Sequence, residues 1–328
     1  MIARCPRSRA WLSVLIVAGA RVAPAQSIRV ADSLLARGAL EQAESMYYAA
    51  VRARPHDPVA RWALGRYLAE RGAPRVAATL MEEALQFGGE PHIIVPDLAV
   101  VYERLDEYRE LLALAGAPLA DGERSRASWL LDHPTRIIAP DTLLLAVYRG
   151  LPASSGYLGE LPIRVNGRTM DAAIAPRGSG LVIADSNAIV ARLHRFPTPE
   201  GSAARGRPSL AAAADSVGIG RVSLTNVPVT AAAIADGHQA TIGLELLARF
   251  APTFDAGARR VVLRPAGTIA PGSMPAGTTS LPTLLTRDEL RVRQAGGWVP
   301  ASSPAIASLL AGHRWTFDAR RGALLIEP

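Results

Sequence analysis

LPIRVNGRTMDAAIAPRGSGLVIADSNAIVARLHR, residues 161–195, is the stretch that decides the fold. Asn166-Gly167 separates two strand-like runs, and Asn-Gly between such runs is a hairpin signal because both residues tolerate a left-handed backbone. A third apolar run, Leu181 to Ala184, leads into a short helical pattern from Asn187 to Leu193. The reading is therefore strand, tight turn, strand, irregular turn, strand, helix.

This order resembles the N-terminal half of a retropepsin-like aspartic peptidase lobe. In that family an Asn-Gly hairpin is followed, eight residues after the Gly, by Asp-Thr-Gly-Ala-Ser at the end of an apolar strand. Here the same offset falls on Ala175-Pro176-Arg177-Gly178-Ser179. The resemblance implies two carboxylates sharing a proton around a water, one from each lobe, so that a single lobe must dimerise. It also implies a Thr whose hydrogen bonds lock the two turns and a Gly that lets the backbone close in. This chain has Ala175 for the Asp, Pro176 for the Thr and Arg177 for the Gly. The frame is kept and the chemistry is missing at all three positions.

One other carboxylate competes. Asp185-Ser186-Asn187-Ala188 also follows an apolar strand and reads like Asp-Ser-Gly-Ala with Asn for Gly. A ten-residue shift of register would make Asp185 catalytic. In the first register Asp185-Ser186 instead caps a helix beginning near Asn187. Both readings stand at this point. Asp171 and Asp215 read as turn or surface residues.

Further marks of the same family follow in order. Ser216 to Thr230 reads as two short strands about a turn, with Asn226-Val227-Pro228-Val229 in the expected place. Ala240 to Leu247 resembles the late hydrophobic-Gly strand and helix of the lobe. Phe254-Asp255 and Val261 to Leu263 resemble its closing hairpin. Pro197 to Ala214 falls where a substrate-covering flap or its neighbour would lie. The resemblance implies a cleft built from Pro176, Arg177, Gly178, Ser179, Ile242 and Gly243. Gly178-Ser179-Gly180 lacks the outer Gly spacing of a nucleophile elbow.

Upstream, residues 28–125 repeat with a period of 34. Gly38, Ala43, Tyr47 and Ala50 return as Gly72, Ala77, Met81 and Ala84. This resembles the tetratricopeptide repeat, a helix–turn–helix unit of that length. A third, weaker unit spans Leu98 to Leu114, where Gly does not recur. The repeats imply either a concave face for a peptide or partner protein, or a helical cap on the next domain. Trp62 reads as core near its first-helix position. Residues 126–265 form the β-domain. Ser128 to Leu131 reads as a strand or a last helical turn, Asp141 to Tyr148 as a buried strand, and Gly150 to Gly159 as a loop.

The tail, residues 266–328, opens with a Gly/Pro/Thr/Ser linker from Pro265 to Pro282. It then echoes the second half of the lobe. Leu246-Leu247, Thr253-Phe254-Asp255 and Val261-Val262-Leu263 return as Leu309-Leu310, Thr316-Phe317-Asp318 and Leu324-Leu325-Ile326. The echo suggests that the tail adds strands to the lobe and covers the surface a dimer would use, with coincidence in a short pattern as the alternative.

Bulk properties bound the rest. Arg4, Arg7 and Arg9 precede an apolar run from Trp11 to Ala20, and Ala23-Pro24-Ala25 fits a cleavage site, so residues 1–25 read as a signal peptide. An uncleaved anchor is the alternative. Either places the protein in a secreted or periplasmic setting. The net charge of +7 falls to about +3 once the four Arg of residues 1–25 are removed, too little for a nucleic-acid footprint. Cys5 is the one cysteine and goes with the signal, which leaves no disulfide or thiolate. His133 sits in a loop without a nucleophile. His92, His194, His238 and His313 lack metal-ligand spacing, and phosphate-loop and dinucleotide fingerprints are absent, so neither metal nor cofactor is expected.

The whole reads as an α+β chain: a helical-repeat domain, then a mostly β retropepsin-like lobe with a C-terminal extension. The favoured function is a catalytically inactive protein binding an extended peptide or protein partner. An active aspartic endopeptidase using Asp185 or another carboxylate is the alternative, and a scaffold acting through the repeats is the second.

Overall fold

The computed structural model describes residues 24–138, 144–176, 180–196, 210–234, 236–264, 269, 274–286 and 288–328. An N-terminal helical region is followed by a β-barrel-rich region, an arrangement consistent with a retropepsin-like lobe. The two have separate cores, one among the helices and one shared by all the sheets.

The helical region contains α1 (Pro24–Ala36), α2 (Leu40–Ala53), α3 (Pro58–Glu70), α4 (Pro74–Gln86), α5 (Pro91–Leu105), α6 (Tyr108–Ala113) and α7 (Asp121–Asp132). Asp57 caps α3 by accepting the amides of Val59 and Ala60, with Pro58 at the first helical position where its missing N–H costs nothing. Ala43, Ala50, Ala77 and Ala84 are buried where helices cross, and Tyr47 and Met81 fill the space between. The matched repeat positions are thus core positions. Gly38 and Gly72 end their helices at φ 74° and 86°, in the left-handed region. The third such turn is Asp106, 34 residues after Gly72, at φ 58°. The period persists there although Gly does not, because Asp also tolerates this conformation. The segment Ser128 to Leu131 is the last turn of α7.

The β-region begins with β1 (Arg136–Ile138), β2 (Leu144–Val147), β3 (Glu160–Val165), β4 (Arg168–Ala175) and β5 (Leu181–Ala184). It continues with α8 (Asp185–Val190), β6 (His194–Phe196), β7 (Leu210–Ile219), β8 (Val222–Ala232), β9 (Ala240–Gly243) and α9 (Leu244–Leu247). The final elements are β10 (Thr253–Asp255), β11 (Arg260–Leu263), β12 (Thr279–Leu285), β13 (Leu290–Gln294), β14 (Gly297–Pro300), α10 (Pro304–Ala311), β15 (Arg314–Asp318) and β16 (Ala323–Ile326).

The first sheet runs β1-β8-β5-β9-β4-β3-β7-β6, and β7 also pairs with β8, which closes six of these strands into a barrel. Closure removes exposed edges. The β3–β4 hairpin turns on Asn166 and Gly167, at φ 47° and 81°, with Val165 opposite Arg168. Positive φ at both central residues is what a two-residue hairpin of native twist requires. The Asn166 carboxamide oxygen also accepts the Ser216 amide at 2.9 Å, tying the hairpin to β7.

Several expectations change. Strands β7 and β8 are long, not short, and Leu210 to Ala214 belongs to β7; residues 197–209, where the flap was placed, lie outside the described residues. Helix α8 starts at Asp185, with Ala184 as its N-cap and no side-chain cap, so Asp185 is a first-turn residue and not the cap. Linker residues Thr279 to Pro282 are strand β12, paired with β16. Pro282 is tolerated there because it lies near the end of that pairing. Of residues 1–25, read above as a signal peptide, 1–23 lie outside the described residues.

The second sheet runs β14-β13-β12-β16-β15-β10-β11-β2. Its centre is the pair β10–β15, the two Thr-Phe-Asp strands of the internal echo, laid antiparallel with Thr253 opposite Thr316. Their hydroxyls share a hydrogen bond of 2.7 Å. Outward from this pair stand β11 and β16, then β2 and β12, so a local two-fold axis relates the halves. The turns match as well. Asp255 accepts the Ala258 amide at 2.8 Å, and Asp318 accepts the Arg321 amide at 3.1 Å. Phe254 stacks on Trp315 with ring centroids 4.1 Å apart, both fully buried.

Candidate functional site

The end of β4, at Ala175, is where the resemblance in the sequence implies a carboxylate. Strands β4 and β9 run parallel there, with Ala175 opposite Gly243. The Gly243 amide donates to the Gly180 carbonyl at 2.7 Å, so β9 passes between the end of β4 and the start of β5. Ala175 is 8% exposed and Pro176 is buried. The tail reaches the same point: the Leu290 amide donates to the Pro176 carbonyl at 2.9 Å. At this point the described residues set the Ala175 methyl group and a backbone hydrogen bond between the lobe and the tail.

Asp185 is elsewhere. It is exposed at the far end of β5 from Gly180, five residues along an extended strand or about 16 Å away. Ile242 is fully buried between Ile174 and Leu181, and its side chain is core. Arg177, Gly178 and Ser179 lie outside the described residues.

The cleft itself lies one step away, between the barrel and the helices. It has a volume of about 430 Å³. The barrel wall carries Gly180, Leu181, Pro228 and Thr230; the helical wall carries Val100, Glu103, Arg104 and Arg126; Asp288 comes from the tail loop between β12 and β13. Neither Ile242 nor Gly243 lines it. Sequence reasoning missed the helical wall and Asp288. No local motif brings residues 100–126, 180, 230 and 288 together, though the polar residues of α5 and α7 next to small or apolar ones were a usable signal.

Charged pairs hold the walls in place. Arg104 of α5 pairs with Glu245 of α9 at 2.5 Å and donates to the Thr286 carbonyl at 3.0 Å. Arg249 grips Asp106 with two bonds of 2.6 and 2.7 Å, the bidentate geometry that suits guanidinium and carboxylate. Arg126 of α7 donates to the Val229 carbonyl at 3.1 Å. Each of the three left-handed helix turns therefore meets the β-region. A Cβ on Gly38 would lie within the Arg293 side chain, and one on Gly72 would lie 1.8 Å from the Ala319 carbonyl oxygen. Arg71 beside Gly72 donates to the Thr283 and Gly322 carbonyls, both at 2.8 Å. Burial pushes the Tyr67 hydroxyl, which donates to Glu44, up to about 12.

A second, smaller cavity of about 70 Å³ continues the cleft along α5. Val100 and Arg104 line both. Its other residues include Arg66 and Glu70 of α3, Asp97 of α5 and Leu285 of β12. Trp62 donates to Asp97 at 2.9 Å and lies under the Arg66 guanidinium, 5.0 Å from its ring centroid, so Trp62 works in a polar network on this face. His133 stacks on Trp129 at 4.3 Å on the other side of α7 and faces no nucleophile among the described residues. No group of three metal-ligating side chains gathers among the described residues. No described helix is long and apolar enough to cross a membrane.

No family model matches this sequence, and no curated protein matches it. Among solved structures the chain is similar to a retropepsin-like aspartic protease from Rickettsia conorii, with 16% identity over 39% of this chain and 92% of that one and a TM-score of 0.27. It is also similar to basic 7S globulin from soybean, with 12% identity over 50% of this chain and 64% of that one and a TM-score of 0.31. Each likeness is partial and concerns fold.

Proposed function

We propose that this chain is a non-catalytic retropepsin-like protein that binds an extended peptide segment, outside the cytoplasm, in the cleft between its barrel and its helices. The observation that carries this reading is the cleft's position: it opens beside Gly180, next to a turn whose family carboxylate is Ala175. In this reading the family position at the end of β4 holds Ala175 in place of an acid, and the groove beside it is walled by a second element. In this reading the helices are tetratricopeptide-like repeats that act as that wall, docked by their turns. A groove of this volume with mixed apolar and charged walls suits a peptide backbone with a few side chains. The tail supplies the second half of the interface, so the chain needs no second copy.

Val100 lies in the middle of the groove and lines both of its parts. Val100→Trp fills the passage. The test is retention of a fluorescent random-peptide pool by the folded full chain. Retention by the wild type and its loss in Val100→Trp is the expected result. Equal retention by both would move the site elsewhere.

A further inference from the structure

Residues 23–26 read Ala-Pro-Ala-Gln, and a leader cut after Ala25 leaves Gln26 as the first residue of the chain. That residue type has a chemistry of its own. A glutamine at a free N-terminus carries an electrophile, the side-chain amide carbon Cδ, which its α-nitrogen reaches in a small unstrained ring. The ring closes when the unprotonated amine attacks Cδ. The bond from the α-nitrogen to Cδ forms, the bond from Cδ to Nε2 breaks, and a proton of the amine leaves with Nε2 as ammonia. Neither oxidant nor metal nor co-substrate is consumed. The product is a lactam, pyroglutamate, which has no amine to protonate.

The surroundings suit this reaction. Gln26 is exposed, and no hydrogen bond among the described residues ties down its side-chain amide. Just beyond it the chain is fixed. Ile28 and Ala31 are buried in the helical core, the Tyr47 hydroxyl donates to Asp32 at 2.5 Å, and the Trp298 indole donates to the Leu35 carbonyl at 2.6 Å. A terminus at Gln26 therefore stands at the surface on an anchored helix, and ring closure requires no unfolding. Charge favours the product. Gln26 to Arg29, the first turn of α1 left after the cut, holds one Arg and no acid. An ammonium there would add to Arg29 and to the positive end of the helix dipole, and the lactam removes it. We propose that Gln26 of the exported chain is converted to pyroglutamate, which blocks the N-terminus and takes its charge off α1. This rests on the export reading above and is independent of the peptide cleft.

The test produces the chain with its leader in a secreting bacterial host and reads the intact mass of the purified protein. Fragmentation of the N-terminal tryptic peptide then places the start of the chain. Intact mass comes first, because short peptides that begin with Gln close the ring during digestion. The expected result is a chain of residues 26–328 lighter by one ammonia, with no free α-amine. Gln26→Asn, whose side chain is one methylene too short to close an unstrained ring, is expected to start at the same residue with its full mass and a free amine. A wild-type chain that starts at Gln26 and keeps its ammonia would overturn the modification and leave export standing. A start at another residue inside the mature chain would do the same. A retained leader would overturn both.

Discussion

At Ala175 a carboxylate would be withdrawn from water at the end of β4. The side chain is buried against Gly243, and the tail offers the Leu290 amide to the Pro176 carbonyl. Ala175→Asp is therefore expected to cost about 3 kcal/mol of stability at neutral pH, with the loss shrinking in acid as the new carboxyl protonates, and to bring no proteolysis. Chemical denaturation at pH 4 and 7 beside a peptide-cleavage assay checks both parts. Glu70 is the native counterpart of that experiment. Its folded carboxyl is held above its unfolded value, so the native state binds more protons than the unfolded state through that window. Its effect is thus a stability lost as pH rises. Glu70→Gln should raise Tm by about 2 °C at pH 7, and the gain should vanish on acidification below the ordinary carboxylate range. A gain that persists in acid would assign the effect to packing. The sequence showed Ala175 through its distance from Asn166-Gly167, since a hairpin fixes register. Glu70 was silent, because burial at a joint between regions leaves no local pattern.

The three helix turns at 38, 72 and 106 are the elements by which the repeats meet the β-region. Each has a left-handed residue, and at Gly72 the backbone approach leaves no room for a side chain. Gly88 has nearly the same conformation, φ 83° against 86°, with nothing within 4 Å of an added Cβ. The pair separates backbone strain from docking. Gly88→Ala should cost about 1 kcal/mol and Gly72→Ala more than about 3 kcal/mol, measured by urea denaturation. Equal costs would mean that the turn does not dock. At the third turn the partly buried Asp106–Arg249 pair should show a coupling of about 1 to 2 kcal/mol in a double-mutant cycle with alanine. The repeat was legible because small residues recur at 34. Its third member was hidden by Asp standing for Gly. Strand β12 was hidden by its Thr, Ser and Pro composition, which reads as linker; its pairing with β16 is a tertiary fact, as is the Arg71 guanidinium on the Thr283 carbonyl.

As a whole the molecule places two copies of one short pattern face to face within a single chain. Thr253 and Thr316 sit at the axis, and Phe254 and Trp315 fill the layer beside it. The echo was visible in the sequence; that its copies pair with each other was not, because self-pairing and pairing with another chain have the same local signature. The full chain should scatter light as a monomer. Deleting residues 274–328 uncovers the β10 edge and Phe254, and should give dimers or aggregates. The central claim is that the lobe retains peptides and does not cut them. The most direct measurement is mass spectrometry of a random peptide mixture incubated with the chain from pH 3 to 7 and separated into bound and free fractions. The account predicts intact peptides in the bound fraction and no new termini in either. New termini formed by the wild type and lost in Asp185→Ala would contradict it, and would return the catalytic role to Asp185.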